Sequence, residues 1–258
     1  MLPLSQWRLD DRRDLIGVFT DIDDTLTTDG AITPDALQAL ADLKAAGLHV
    51  IPITGRPVGW SVPFAAAWPV DAIVAENGAL ALRAASKLYQ QDKTTRQTNF
   101  IRMQNVAQRV LREVAGAQLA QDSAGRETDI AIDHSEFTHL PPEQIAQVVQ
   151  IMQSEGMNAT VSSIHINGWF GSHNKWDGAQ WIVREFLGRD LTMEIDRWAY
   201  VGDSTNDQLM FEAFAHSIGV ANIRRFEAKL THKPRYVTVG KRGAGFAEVV
   251  SSILAARR

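Results

Sequence analysis

Two short acidic loops hold the residues in this sequence best suited to chemistry. The stretch GVFTDIDDTLTTDG, residues 17–30, runs from an apolar segment straight into Asp21, Asp23 and Asp24. The stretch VGDSTNDQLMF, residues 201–211, repeats the pattern with Asp203 and Asp207. Carboxylates held close together repel unless a cation or a shared proton relieves them. A divalent cation does this, and an all-oxygen ligand set suits Mg²⁺. A calcium loop beginning at Asp21 would want glycine at its sixth position and glutamate at its twelfth. Those positions hold Leu26 and Ile32, so that reading fails.

Two further segments carry the opposite polarity. In VIPITGRP, residues 50–57, Thr54 follows an apolar run and Gly55 lets backbone N–H groups approach a ligand. Lys175 opens a later helical stretch. A hydroxyl, exposed amides and a lysine together neutralise a phosphoryl group. Phosphoryl transfer depends mainly on positioning and electrostatics, so this collection is chemically sufficient.

The elements that position these groups follow from the pattern. Apolar runs at 15–20, 48–53, 72–75, 198–201 and 217–220 read as buried strands. Amphipathic stretches alternate with them. Thr33 can cap the first, Pro34 suits its first position and Gly47 can end it. Residues 177–187, stopping at Gly188, and 244–256 read as two more helices, and Ser204 or Thr205 can cap a third. Strands that are apolar throughout, alternating with helices, predict an α/β fold with a doubly wound parallel sheet. In such a sheet ligands bind at the carboxyl ends of the strands, where both acidic loops fall.

The middle of the chain reads differently. Residues 80–82 and 87–89 suit a hairpin, and 129–133 a half-exposed strand. Phe100, Met103, Ala107, Val110, Leu111 and Val114 follow helical spacing. Ile145, Val148, Val149 and Met152 give a second helix ending at Gly156, and 161–166 a returning strand. We place a smaller inserted α/β layer at 84–168, within a core of 1–83 and 169–258. HINGWFGSHNK, residues 165–175, is rich in ligand-type side chains, but His165 and His173 lack a third partner for zinc. A polar junction between insert and core is the better reading.

Composition bounds the rest. The 258 residues are 45% hydrophobic and 22% charged, with net charge -4 and no long basic run. That gives little support for a nucleic-acid surface. There is no cysteine, which excludes disulfides, thiolate metal sites and a cysteine nucleophile. No window matches a membrane span and the start does not read as a signal peptide, so a cytoplasmic protein is expected.

DIDDT resembles the DxDxT signature of the haloacid dehalogenase-like hydrolases. Thr54 resembles that family's second motif, Lys175 its third and GDSTND its fourth, in the same order. The insert falls where class II subtype B members, the Cof-type and sugar-phosphate phosphatases, carry an α/β cap. AENGA, residues 75–79, and GKRGAGFAEVV, residues 240–250, are also similar to that subclass. The resemblance implies a Mg²⁺-dependent phosphatase acting on a small phosphorylated metabolite, foremost a sugar phosphate. It implies Asp21 as nucleophile and Asp23 as acid and base, with Thr54, Gly55, Lys175 and Asn206 at the phosphate. It implies a metal held by Asp21, the Asp23 carbonyl and Asp203, with Asp207 orienting. Arg56, Asn77, Gly78, His165 and Asn167 are candidate substrate contacts, and Asp24 lies off the pattern. True dehalogenases lack the second aspartate, because chloride leaves without a proton. A phosphosugar mutase of the same subclass and a non-catalytic metabolite-binding regulator are the alternatives. Oligomeric state is not legible.

Overall fold

The computed structural model describes residues 1–84 and 86–257. Ala85, in the expected insert, and Arg258, at the end of the expected core, lie outside the described residues. The chain opens with β1 (Leu2–Pro3), the short helix α1 (Leu9–Arg13) and β2 (Gly17–Thr20). A small hairpin follows, β3 (Thr27–Thr28) and β4 (Ala31–Ile32), then α2 (Pro34–Ala45), β5 (His49–Pro52) and α3 (Val58–Ala67). Next come β6 (Ile73–Ala75), β7 (Leu80–Arg83), β8 (Ser86–Tyr89) and the long α4 (Lys93–Glu113). The middle ends with β9 (Gln118–Leu119), β10 (Ile130–Asp133), α5 (Pro142–Ser154), β11 (Asn158–Val161) and β12 (His165–Trp169). The chain closes with α6 (Lys175–Leu187), β13 (Trp198–Gly202), α7 (Gln208–Ala213), β14 (His216–Gly219), β15 (Tyr236–Val237) and α8 (Arg242–Ala255).

The main sheet has the order β1-β15-β14-β13-β2-β5, with every neighbouring pair parallel. This is the expected α/β architecture. Its strands bury both faces, so successive residues feed separate cores. Val18, Val50 and Ala199 pack under α2 and α8. Phe19, Ile51 and Tyr200 pack under α6 and α7. Beyond β5, Ile53 bridges Val74 in parallel, and β6, β7 and β8 continue as an antiparallel ribbon. β8 falls within 84–168 yet pairs beside the main sheet.

A separate antiparallel sheet, β11-β12-β10-β9, carries α4 and α5 on one face. Its own core joins Met103, Val106 and Val110 to Val148, Met152, Ile132, Ile166 and Trp169. Three expectations change here. The segment 129–133 is buried along its whole length, because the Asp133 carboxylate accepts the N–H groups of Ser135, Glu136, Phe137 and Thr138. The segment 161–166 is two strands, not one, because Ser162 Oγ accepts from the N–H of Ile164 and His165 and turns the chain. Thr33 occupies the cap position of α2, but its buried hydroxyl makes no hydrogen bond. Among the described residues no helix is long and apolar enough to cross a membrane.

Candidate active site

Register brings the motif loops to one level. Thr20 on β2 pairs with Val201 on β13 and with Pro52 on β5. The next residues of all three strands therefore leave the sheet at the same edge: Asp21, Gly202-Asp203 and Ile53-Thr54. The Asp21 N–H donates to the Val201 carbonyl at 2.8 Å, which fixes the first loop against the second.

Lys175, at the start of α6, joins the acidic loops. Its Nζ lies 2.6 Å from Asp21 Oδ1 and 2.7 Å from Asp207 Oδ1. Asn174 caps this helix by accepting from the Asp177 N–H, which sets Lys175 in its first turn. Asp207 is saturated. Oδ1 also accepts from the Tyr200 hydroxyl at 2.5 Å, and Oδ2 accepts the N–H groups of Asp203 and Ser204, each at 3.0 Å. Glycine is required at 202, since a Cβ there would lie 2.6 Å from Asp207 Oδ2.

Asp203 is buried and half-satisfied. Its Oδ2 accepts from Asn222 at 2.8 Å and Arg225 at 3.2 Å, while Oδ1 has no hydrogen-bond partner. Asp21, Asp203 and Asp207 each offer an oxygen within 4.8 Å of the others. Burial pushes the Asp21 carboxyl up to about 7, Lys175 opposes this, and Asp207 and Asp23 add to it. Asp203 is driven well above the ordinary carboxylate range by burial and then by Asp21 and Asp207. Burial would lower the Lys175 ammonium, but Asp207 and Asp21 outweigh it and hold it above its usual value. A buried carboxylate with an orphan oxygen and two acidic neighbours fits a hard cation. The open donors are on Asp21 and Asp203. Asp207, with both oxygens used, fits an orienting place.

Asp23 points elsewhere. Both its oxygens take Arg56 Nε, at 3.0 and 3.1 Å. Arg56 also reaches across to the insert, to Glu136 at 2.7 Å and Asp122 at 3.1 Å. Glu136 in turn bonds His165 Nε2 at 2.8 Å. Burial would raise Glu136, but His165 and Arg56 outweigh it and hold it at about 2.

The space above Asp21 is small, about 10 Å³, or room for about one water. Asp21, Asp23, Gly55, His165, Asn167 and Asn206 are among the residues lining it. A cleft of about 700 Å³ opens beyond, between the β3–β4 hairpin, the insert and the chain at 225–242. Asp23, Arg56, Ser163 and Ile164 line both spaces.

Some candidates sit elsewhere than expected. The Thr54 hydroxyl is buried and accepts the Arg56 N–H at 3.0 Å. Arg56 is turned toward three carboxylates. Asn77 and Gly78 lie beneath the site: Asn77 reaches Asp129 at 3.5 Å, and Gly78 packs on Asn174 and Gly178. The physical reason is their backbone, since Glu76, Asn77 and Gly78 all have positive φ and fold the loop inward. His165 and His173 make no pair. His173 stacks on Trp169 at 5.6 Å. Sequence reasoning missed Glu76, Asp122, Arg126, Asp129 and Glu136. Arg126 bonds Asp129, Asp122 and the Gly55 carbonyl, and buried Glu76 accepts the N–H groups of Val58, Glu127 and Thr128. The GRETD run, residues 125–129, was the available signal: alternating charges beside a buried strand.

Residues 18–109 match the family profile described as haloacid dehalogenase-like hydrolase. No curated protein matches the sequence significantly. Similar solved structures cover nearly the whole chain. A Thermoplasma acidophilum protein has TM-score 0.70 at 16% identity, over 93% of this chain and 98% of its own. The sucrose-phosphatase of Synechocystis, solved with sucrose and phosphate, has TM-score 0.67 at 16% identity, over 93% and 98%. A haloacid dehalogenase subclass IIB sugar phosphatase has TM-score 0.61 at 15% identity, over 92% and 96%. This chain has the haloacid dehalogenase-like fold. Within that fold the DIDDT and GDSTND loops and Lys175 meet at one strand edge, and β9–β12 with α4 and α5 stand over it.

Proposed function

We propose that the protein is a Mg²⁺-dependent phosphatase for a small phosphorylated metabolite, foremost a sugar phosphate, acting through an aspartyl-phosphate on Asp21. One observation carries this reading. Asp21, held by Lys175, lines a small cavity, and Asp23 lines both that cavity and a larger cleft. A phosphoryl group above Asp21 would then direct its leaving group past Asp23.

The Asp21 carboxylate attacks phosphorus while the ester P–O bond breaks. The departing oxygen keeps the bonding electrons and takes a proton from Asp23. Asp23 then accepts a proton from water as that water attacks phosphorus and frees Asp21. Lys175 and the backbone around Gly55 offset charge on the transferring oxygens, and Asn206 lies beside them. Asp21, the Asp23 carbonyl and Asp203 would hold Mg²⁺, with Asp207 orienting. The ion would offset charge between nucleophile and phosphate. The insert, read as a cap at 84–168, roofs the site and must open, because the present space is too small for a phosphoryl group. The sugar phosphatases among the similar folds, and the polar side chains of His134, Glu136 and Ser163 at the cleft, support a polyhydroxylated leaving group.

Phosphate release across a panel of phosphorylated metabolites, with Mg²⁺ and with chelator, tests the reading. Release that needs Mg²⁺ is the expected result. Isomer formation without release would favour a mutase, and binding without turnover a regulator.

A further inference from the structure

We infer that Arg56 is a positioning residue, which holds the Asp23 carboxylate toward the leaving oxygen and is itself held by the insert. The inference rests on the phosphatase reading above. Among the described residues, the Asp23 carboxylate has no hydrogen-bond partner except Arg56. Arg56 contributes Nε to both oxygens, and Nη2 lies 2.9 Å from Oδ1. A planar guanidinium that grips both carboxylate oxygens fixes orientation as well as charge. An error of about 1 Å in a proton donor's place can cost about 100-fold in rate.

The guanidinium is over-determined from behind. Its side chain is 6% exposed and lies over the Trp60 ring at 5.2 Å. Its backbone is fixed at both ends: the N–H donates to Thr54 Oγ1 and the carbonyl accepts from Glu76 N–H at 3.0 Å. Its outer nitrogens are taken by Glu136 and Asp122 of the insert, and Glu136 is steadied by His165. Thus Asp23, Arg56, Glu136 and His165 form one chain from core to insert. Burial would lower the Arg56 guanidinium, but Asp23 and Glu136 outweigh it, so it stays charged. With Arg56 spent on three carboxylates, its place in the reaction is beside the acid, not on the phosphate.

The test compares phenyl phosphate with p-nitrophenyl phosphate, whose leaving groups are similar in size but differ in basicity. The p-nitrophenolate departs without a proton, whereas phenolate benefits from one. The ratio kcat/KM ends at the first irreversible step, so it excludes the later attack by water. Arg56→Ala is expected to lower kcat/KM for phenyl phosphate about 100-fold, and for p-nitrophenyl phosphate less than about tenfold. Arg56→Lys, a point charge without the fork, falls between. Glu136→Gln shifts the two substrates the same way by a smaller factor, and it and Arg56→Lys carry the test if the alanine variant does not fold. Equal losses on the two substrates, or no loss on either, would overturn the inference. Asp21→Asn should abolish turnover of both. Persisting turnover there would instead sink the aspartyl mechanism, a result separable from equal losses at Arg56.

Discussion

Lys175 touches Asp21 and Asp207 at once, and this one side chain ties a nucleophile candidate to an aspartate 186 residues further on the chain. The strand-end aspartates were legible because apolar runs feed directly into them. Arg56 was read as a substrate contact because its partners Asp122 and Glu136 are 66 and 80 residues away and look like ordinary surface charges. His173 gives a residue-scale test outside the reaction. It is 4% exposed and its ring nitrogens have no partner, and burial alone lowers it from 6.5 to about 4. The ring is therefore neutral in the fold. Its stability contribution is complete above about 6.5 and is lost as pH falls toward 4, by up to about 3 kcal/mol. His173→Phe keeps the stack on Trp169 and removes the titration. Urea unfolding between neutral pH and pH near 4.5 should show a smaller acid loss for the variant, and identical losses would refute the assignment.

At the scale of elements, four strands of the parallel sheet, β2, β5, β13 and β14, were readable from apolar runs to within two residues at each end, because both their faces are buried. The two-residue strands β1 and β15 were too short to leave such a run. The insert was harder. Its aspartates at 129 and 133 gave 129–133 the alternation of a half-exposed strand, yet Arg126 and backbone amides satisfy them in the interior. The turn at Ser162, which splits 161–166, depends on one hydroxyl and leaves little trace in hydropathy. The way the insert meets the core was not legible at all. There α3 meets the short turn Ser123–Gly125 through two glycines, and a Cβ on Gly59 would lie 2.8 Å from the Gly125 Cα. Gly59→Ala should wedge this junction apart and cost about 1–3 kcal/mol, with weaker protection of the insert from proteolysis. An unchanged thermal midpoint and protease resistance would show that the contact tolerates the methyl group.

Taken as a whole molecule, the parallel sheet sets out the charges and the antiparallel layer controls the space above them. The core motifs imply the reaction, while the insert borders the cleft into which a leaving group would pass. The fold class was readable because buried apolar runs alternate with amphipathic helical stretches along the chain. The enclosure was not, since it comes from contacts between distant charges: Arg56 with Glu136, Arg126 with the Gly55 carbonyl, and Thr205 with the Val161 carbonyl. The claim on which all else depends is covalent chemistry at Asp21. Asp23→Asn should still be phosphorylated by p-nitrophenyl phosphate, which needs no acid, but should fail to activate water. Rapid acid quench of that variant with Mg²⁺, followed by peptide mass spectrometry, should place a phosphoryl group on Asp21. A burst of p-nitrophenolate with Asp21 unmodified, or a wild-type rate from Asp21→Asn, would contradict the account.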